Sequence, residues 1–219
     1  MGWRCGVVSA GLGDATLFDC GMCGGTGRIV NAWIAMHEED YVDEQCRQCE
    51  GKGERPNRLT SSAALSPDGL YRYRLTRTWG SGPIATFLMC NPSKADADLN
   101  DPTVVRCRGF AESWGCGGLR VGNAYGLRST DPKGLWLALD PVGPKNDAYL
   151  TSLAATAWSR GWPLVAAWGV NVKPDRVAQV LALPGMESLQ ALGVTKSGAP
   201  RHPLYLRSDS VLHPWPVAA

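Results

Sequence analysis

The sequence predicts an α/β protein: a three-layer α/β/α domain on a mostly parallel central sheet, with a small cysteine-rich unit in front of it. Two observations favour this class. Short apolar runs alternate with segments of helical pattern, and the central runs lack a polar face, as strands covered on both sides do. Two CxxC pairs stand near the N-terminus, apart from this alternation. We therefore expect two units, residues 1–59 and residues 60–219.

The composition is that of a water-soluble protein. Of the 219 residues, 44% are hydrophobic and 19% are charged, which allows one sizeable core and a small appendage. No apolar run reaches the ~20 residues that a membrane helix needs. The N-terminal segment is too rich in glycine for a signal peptide. We expect a cytoplasmic location and no membrane partner.

The charge is unevenly distributed along the chain. Residues 1–59 carry six Lys or Arg against nine Asp or Glu, whereas the remainder carries sixteen against eleven. A nucleic-acid partner, DNA in particular, would therefore bind the second unit.

The two CxxC pairs share one frame. Cys20 and Cys23 begin CGMCGGTG, and Cys46 and Cys49 begin CRQCEGKG, so both segments match CxxCxGxG. Two thiolates in a tight turn can bind one metal ion, and the glycines allow backbone amides to point at sulfur. Two such turns supply four tetrahedral ligands. We expect one structural Zn²⁺, in a closed site that cannot be catalytic.

Alternatives for this zinc knuckle (residues 1–59) stay open. The pairs could be two reduced pairs or one redox-active pair, and His37 is an alternative ligand. The frame resembles the cysteine-rich repeats of DnaJ-type chaperones, although no J-domain motif is present. We expect a hairpin or short helix over residues 28–45. The knuckle also offers a docking element for a protein partner.

The first elements of the second unit follow an expected polar linker over residues 56–67. Apolar residues alternating with Arg and Thr predict a half-buried or edge strand over residues 70–79. The run IATFLMC predicts a buried strand over residues 84–90. A helix is expected over residues 102–114, with Asp101 as its N-cap and proline at its first position.

The alternation continues to the end of the chain. The expected elements are a strand over residues 119–123, helices over 133–139 and 147–160, a strand over 164–168, a helix over 174–183, and a last strand entered through 189–194.

Polar side chains follow several of these strands. In sheets of this class, ligands bind beyond the carboxyl ends of the strands, so we expect a site at this edge. The candidates are Asn91, Pro92, Ser93, Lys94, Asp96, Asp98, Asp101, Asn123, Tyr125, Arg128, Ser129, Thr130, Asp131, Trp168, Gly169, Arg201, His202 and Tyr205. Simpler interpretations stay open: Asp101 as a helix cap, and Arg128 and Asp131 as an ion pair across a turn. Asn91 and Asn123 could be turn residues, and His202 a surface residue.

Other familiar motifs are missing from the sequence. It contains no GxxxxGK[ST], GxGxxG after a strand, GxSxG or HExxH.

Four segments in order, FLMCNPSKADADLNDPTVVRC, GNAYGLRSTDPKGL, VAAWG and LGVTKSGAPRHPLYL, resemble the domain-of-unknown-function family 1643. The order is also similar, more distantly, to the uracil-DNA glycosylase superfamily. In that likeness Asn91-Pro92 matches the loop that positions water, and Asn123 matches the residue that reads the base. The loop from His202 to Tyr205 matches the one with the catalytic histidine. Ser-Lys after Asn91-Pro92 and the shortened final loop count against ordinary uracil as the substrate.

The glycosylase likeness implies roles for the candidates. A nucleotide would be extruded into the site, where Asn123 binds the base edge and Tyr125 or another aromatic residue stacks on it. Catalytic roles would fall to Asn91, Asp96 or Asp101, which orient or activate water, and to His202, which stabilises the departing base. Phosphates would contact Lys94, Arg128 and Arg201, while Pro92, Ser93, Trp168, Gly169 and Tyr205 complete the substrate site.

Three functions remain as hypotheses. The first is an enzyme that excises a modified base from DNA, in phages or in host defence. The second is a non-catalytic module that binds a nucleic acid or a protein, and the third is an enzyme acting on a free modified nucleotide.

Overall fold

The computed structural model describes residues 60–93, 102–129 and 132–215. Before them it describes only the backbone of four short strands: β1 (Leu17–Asp19), β2 (Arg28–Val30), β3 (Asp43–Gln45) and β4 (Glu54–Pro56). The expected α/β class is confirmed.

The four short strands form two antiparallel ladders, β1 with β4 and β2 with β3. The β2–β3 pairing is the one that a hairpin over residues 28–45 requires. The expected zinc ligands, Cys20, Cys23, Cys46 and Cys49, lie outside the described residues. One CxxC segment links β1 to β2 and the other links β3 to β4, so both connect the same two ladders.

The second unit contains one seven-stranded sheet in the order β11-β10-β9-β7-β8-β6-β5. Its strands are β5 (Thr60–Leu65), β6 (Arg72–Thr78), β7 (Ile84–Met89), β8 (Gly118–Asn123), β9 (Leu164–Ala166), β10 (Gln190–Ala191) and β11 (His213–Pro214). The four strands β10, β9, β7 and β8 are parallel, whereas β5, β6 and β11 run antiparallel to their neighbours. The sheet is therefore mixed.

One edge of the sheet differs from the sequence prediction. Residues 60–65, expected within a linker, form strand β5 and pair with β6. Strand β6 was expected at an edge or half-buried, but it lies between β5 and β8, and six of its seven residues are buried. A short turn joins β5 to β6, and the neighbouring strand satisfies the backbone of a segment with few apolar residues.

The helices match their predicted positions closely. They are α1 (Pro102–Ser113), α2 (Pro132–Leu137), α3 (Asn146–Arg160) and α4 (Pro174–Leu181). Helix α3 ends at Gly161, which adopts φ 63° and whose N–H contacts the carbonyls of Ala157 and Trp158. This left-handed conformation suits glycine, so Gly161 ends the helix as the sequence predicted.

Helices pack on both faces of the sheet. Phe87 of β7 packs in a core with Val104 and Phe110 of α1. Leu88, the next residue of β7, packs in a second core with Leu150 of α3 and Val180 of α4. Because successive side chains of a strand point to opposite faces, the two cores lie on opposite sides of the sheet. The loops beyond its carboxyl edge are left to form a site.

Candidate functional site

A cavity of about 300 Å³ lies at the carboxyl ends of β7, β8 and β9. These three strands are parallel neighbours, so their ends meet at one edge. The lining residues come from this edge and from the elements around it: Arg72, Met89, Cys90, Asn91, Ser93, Thr103, Val104, Cys107, Val121, Asn123, Ser129, Leu135, Trp136, Trp168, Asn171 and His202.

Asn123, the last residue of β8, is the most unusual of them. Its side chain is 1% exposed. Neither Nδ2 nor Oδ1 has a hydrogen-bond partner among the described residues. An unpaired buried amide group costs about 1–3 kcal/mol, so an asparagine in this position lowers the stability of the unliganded protein.

The backbone at Asn123 is held firmly from the α3 side. Asn146 Nδ2 donates to the carbonyl of Asn123 at 2.9 Å and to that of Ala124 at 3.3 Å. Arg176 Nε donates to the Ala124 carbonyl at 2.8 Å, and its guanidinium pairs with Asp147. These bonds fix the end of β8, so the unpaired carboxamide is held at a defined place in the cavity wall.

Asn91, in the loop after β7, is oriented by its own amide group. Its Nδ2 donates to the carbonyl of Ser129 at 2.8 Å and to that of Pro92 at 3.2 Å. The N–H of Ser129 donates back to the Pro92 carbonyl at 3.1 Å. Because the donors of Asn91 are used in this way, Oδ1 is the group through which its side chain can accept a further hydrogen bond.

His202 also lines the cavity and precedes the 3-10 turn Pro203–Tyr205. Its Nδ1 accepts a hydrogen bond from the N–H of Leu204 at 3.4 Å. In the neutral ring this places the proton on Nε2, which makes Nε2 a donor. Within this turn Pro203 is buried, whereas Leu204 is exposed by 42% and Tyr205 by 79%.

Two tryptophans line the cavity. Trp168, after β9, is buried edge-to-face against Trp215 with ring centroids 5.2 Å apart. Trp136, in α2, has Lys173 Nζ 4.8 Å from its ring centroid. Tyr125, the expected stacking residue, does not line the cavity: its ring meets Trp136 edge-on at 5.3 Å and its hydroxyl accepts the Lys173 N–H.

The described wall of the cavity contains one buried cation. Arg72, which is 3% exposed, lines it, and none of the described lining residues is Asp or Glu. The register of the β5–β6 pair shifts between Ala64 and Leu65, beside Arg72, an irregularity that re-aims a side chain. The first turn of α1, through Thr103 and Val104, also borders the cavity and adds the positive end of its dipole.

Two thiols, Cys90 and Cys107, lie in the same wall. Burial raises the pKa of the Cys90 thiol to about 11. At neutral pH it is therefore a protonated thiol, and it lacks the thiolate that nucleophilic catalysis or metal binding requires.

Six residues that the sequence singled out as site residues line this cavity: Asn91, Ser93, Asn123, Ser129, Trp168 and His202. The others lie elsewhere or cannot be placed. Pro92, Tyr125, Arg128, Gly169, Arg201 and Tyr205 are not lining residues, although Gly169 lies beside His202. Arg128 Nη1 donates to the carbonyl of Gly69 at 3.2 Å. Lys94, Asp96 and Asp101 lie outside the described residues.

Besides apolar residues and the two thiols, the sequence prediction missed four polar or aromatic lining residues, Arg72, Thr103, Trp136 and Asn171. Thr103 carried a signal, because it follows Pro102 at the start of a helix that points toward the strand ends. Arg72 sits inside a strand, where an arginine ordinarily marks a solvent face, and only the pairing with β5 shows that it is buried.

The fold and the cavity define an α/β protein with a polar ligand site at the carboxyl edge of a mixed sheet. Residues 72–204 match the family model described as protein of unknown function (DUF1643), and the chain belongs to this family. The match runs from β6 to the turn after His202, so it includes every lining residue. Comparison with curated proteins gives no match, and neither does comparison with solved structures.

A separate finding concerns the helices. None of those in the described part of the chain is both long enough and apolar enough to cross a bilayer.

Proposed function

We propose that the protein is a DNA glycosylase-like enzyme that binds a modified nucleobase in this cavity and hydrolyses its N-glycosidic bond. Asn123 is the observation that carries the proposal. Its buried carboxamide, unpaired among the described residues, lowers stability unless a ligand completes its hydrogen bonds. A carboxamide offers a donor and an acceptor side by side, the pattern that pairs with a base edge.

The rest of the cavity suits the same ligand. Trp136 and Trp168 present aromatic rings in its wall, and stacking on an aromatic ring contributes about 1–3 kcal/mol per base. Small-molecule sites have volumes of about 300–1,000 Å³, and this cavity is at the lower end of that range. A single extruded base is a flat, polar-edged ligand of suitable size.

In the proposed reaction, a water oxygen bonds to C1′ of the sugar while the bond from C1′ to the base nitrogen breaks. The bonding pair leaves on the base, which then takes up a proton from solvent. The water proton passes to a carboxylate, and the sugar keeps the hydroxyl at C1′. The candidates for that carboxylate are Asp96 and Asp101, and Asn91 Oδ1 is the proposed acceptor that orients the water.

Two groups suit the negative charge that develops on the departing base. His202 offers Nε2 as a donor, because its Nδ1 is occupied by the N–H of Leu204. Arg72 places a buried positive charge in the same cavity. Fixed donors and charges of this kind, in a site that excludes water, act most strongly on charge that appears only in the transition state.

Contacts with DNA are proposed around the cavity mouth. Leu204 and Tyr205 are exposed beside His202 and are proposed to fill the space in the stack that the extruded base leaves. Lys94, Arg128 and Arg201 are the proposed phosphate contacts.

The test is base release from oligonucleotides that each carry one deaminated, oxidised, alkylated or hypermodified base, followed under single-turnover conditions. We expect one substrate class to lose its base, and Asn123→Ala and His202→Ala to slow release by about 10²-fold or more. His213→Ala is the matched control, because His213 is exposed and does not line the cavity. It should leave the rate unchanged.

The same experiment separates the alternatives. Base release from free nucleotides and not from oligonucleotides would show that the substrate is a free modified nucleotide and not DNA. Tight DNA binding without release, unaffected by Asn123→Ala, would refute the catalytic proposal in favour of a binding module.

We also propose that the two CxxCxGxG segments bind one structural zinc ion through Cys20, Cys23, Cys46 and Cys49. The support is the motif itself and the strand pairing, since both segments link the same two ladders. Metal bound there would supply folding energy to a unit with little core of its own.

A further inference from the structure

Three arginines and a tryptophan form a cluster on the α3 side of the sheet, which we call the arginine cluster: Arg74 of β6, Arg120 of β8, Arg160 at the end of α3, and Trp162 just beyond it. Thr76 of β6 lies directly opposite Arg120. Arg74 is two residues from Thr76, so it shares a face with Arg120 and is its diagonal neighbour.

Two of these guanidinium groups contact the same tryptophan ring. The guanidinium of Arg120 lies 5.9 Å from the Trp162 ring centroid, and that of Arg160 lies 5.6 Å from it. Arg120 is only 9% exposed, Arg74 is half-buried, and Arg160 is exposed. The cluster thus contains one buried, one half-buried and one exposed arginine.

The charges in the cluster disturb each other. Burial, and then the proximity of Arg74 and Arg160, lower the pKa of Arg120 to about 10. Burial also lowers the pKa of Arg74. Like charges in a partly buried site destabilise the folded chain unless an anion lies among them.

Other arginines of the described chain are paired with carboxylates. Arg108 stacks over Trp79 at 5.1 Å and has the Glu112 carboxylate 2.8 Å away. Arg176 and Arg207 are likewise paired with aspartates. In contrast, no carboxylate of the described residues pairs with Arg74 or Arg160.

We propose that the arginine cluster is a binding site for a phosphate group, separate from the cavity. Arginine forks match the oxygens of phosphate, and stacking on Trp162 holds two of them in place. None of the four residues lines the cavity. Arg120 lies three residues before Asn123, roughly 10 Å toward the amino edge of the sheet.

The phosphate could belong to a small molecule or to a nucleic-acid backbone, and two arms of one experiment distinguish these sources. In the first arm, thermal unfolding is measured in sodium phosphate and in sodium chloride of equal ionic strength. We expect phosphate at about 100 times its Kd to raise the Tm by at least about 5 °C. In the double variant Arg74→Gln/Arg160→Gln, the phosphate affinity should fall at least tenfold. Arg108→Gln, the control, should leave it within twofold.

In the second arm, binding of a labelled single-stranded oligonucleotide is measured against salt concentration. If the cluster holds the backbone, the double variant should lose about 1.4 from the slope of log K against log salt, because each lost phosphate contact accounts for about 0.7. If the double variant keeps the wild-type salt slope but is no longer stabilised by phosphate, the site binds a small phosphate compound and not the nucleic-acid backbone.

The unliganded proteins provide a check on folding. Removing like charges should leave the Tm of the double variant equal to or above that of the wild type, and the single variant Arg160→Gln changes only an exposed residue. The proposal is overturned if phosphate acts no more strongly than chloride, or if it stabilises wild type and double variant equally. Neither result depends on whether the cavity releases a base.

Discussion

Replacement of Asn123 by leucine is the sharpest test of why a polar residue lies at the end of β8. Leucine has the same branched shape as asparagine but no hydrogen-bonding groups. In the wild type, the Asn123 carboxamide is 1% exposed and has no partner among the described residues. If that residue serves a ligand, Asn123→Leu should make the unliganded protein more stable and abolish base recognition.

The size of the effect follows from the burial. An unsatisfied buried donor or acceptor costs about 1–3 kcal/mol, and we expect the free energy of unfolding to rise by about this amount. The adjoining cavity leaves room for the methyl groups, so strain should not offset the gain. For a protein of this size, each kcal/mol raises the Tm by about 2–4 °C.

Asn146→Leu is the matched control for this prediction. Asn146 is equally buried, but its Nδ2 donates to the carbonyls of Asn123 and Ala124. Its Oδ1 accepts no hydrogen bond from the described residues. Removing this unpaired oxygen should stabilise the protein by less than the loss of the two hydrogen bonds from Nδ2 destabilises it. Asn146→Leu should therefore lower the free energy of unfolding by about 1–3 kcal/mol.

Denaturant unfolding of the two variants beside the wild type provides the measurement. The reasoning is wrong if Asn123→Leu lowers the free energy of unfolding, or if both variants change it in the same direction. A stabilised Asn123→Leu that still releases base would show that the unpaired amide serves no ligand.

Three further predictions concern packing, pH and metal. The substitution Gly122→Ala should lower the free energy of unfolding, measured with denaturant, by about 1–3 kcal/mol. The reason is that the added Cβ would lie 2.8 Å from a methyl carbon of Leu153 and 2.9 Å from one of Leu150. A fall of less than about 0.5 kcal/mol, the size of effect typical of a surface substitution, would contradict it. The unfolded chain releases the Cys90 proton near pH 9.0 and the folded chain near pH 11, so the contribution of this thiol to stability should be lost as pH rises between these values. Alkylation of native protein should accordingly stay slow at pH 8, and fast labelling there would refute the burial argument. Metal analysis should find about one zinc ion per chain in the wild type and less in the Cys20→Ser variant. An equal zinc content in the wild type and the variant would show that Cys20 is not a zinc ligand.

The elements that the sequence predicted best are those with a local physical signal. Strand β7 and helix α3 end within about a residue of the expected positions, because an apolar run and a glycine stop are properties of short segments. Strand β5 was missed, since TSSAAL has little strand preference of its own and exists as a strand through its pairing with β6.

The candidate site shows the same division. Asn91 and Asn123 follow parallel neighbouring strands, and that topology alone places them at one edge of the sheet. Tyr125 and Trp136 could not be distinguished in the sequence as the aromatic wall, since both follow strand β8 in polar loops or short helices. Which ring faces the cavity depends on how α2 packs, which is a tertiary property.

The cavity and the arginine cluster together suggest how stability is distributed in this fold. Each contains groups that lower the stability of the free protein: an unpaired carboxamide at Asn123, and three neighbouring positive charges around Trp162. Elsewhere in the described chain, the Asn146 amide group and the Arg176 guanidinium donate hydrogen bonds to the carbonyls at the end of β8. Asn123 and Arg120 lie three residues apart on β8, and Arg120 does not line the cavity. We therefore expect one ligand in the cavity and a second at the arginine cluster. A single ligand would relieve one of them only, so stabilisation by base analogue and by phosphate should be additive, within the few tenths of a kcal/mol (about 0.3–0.5) expected for independent sites.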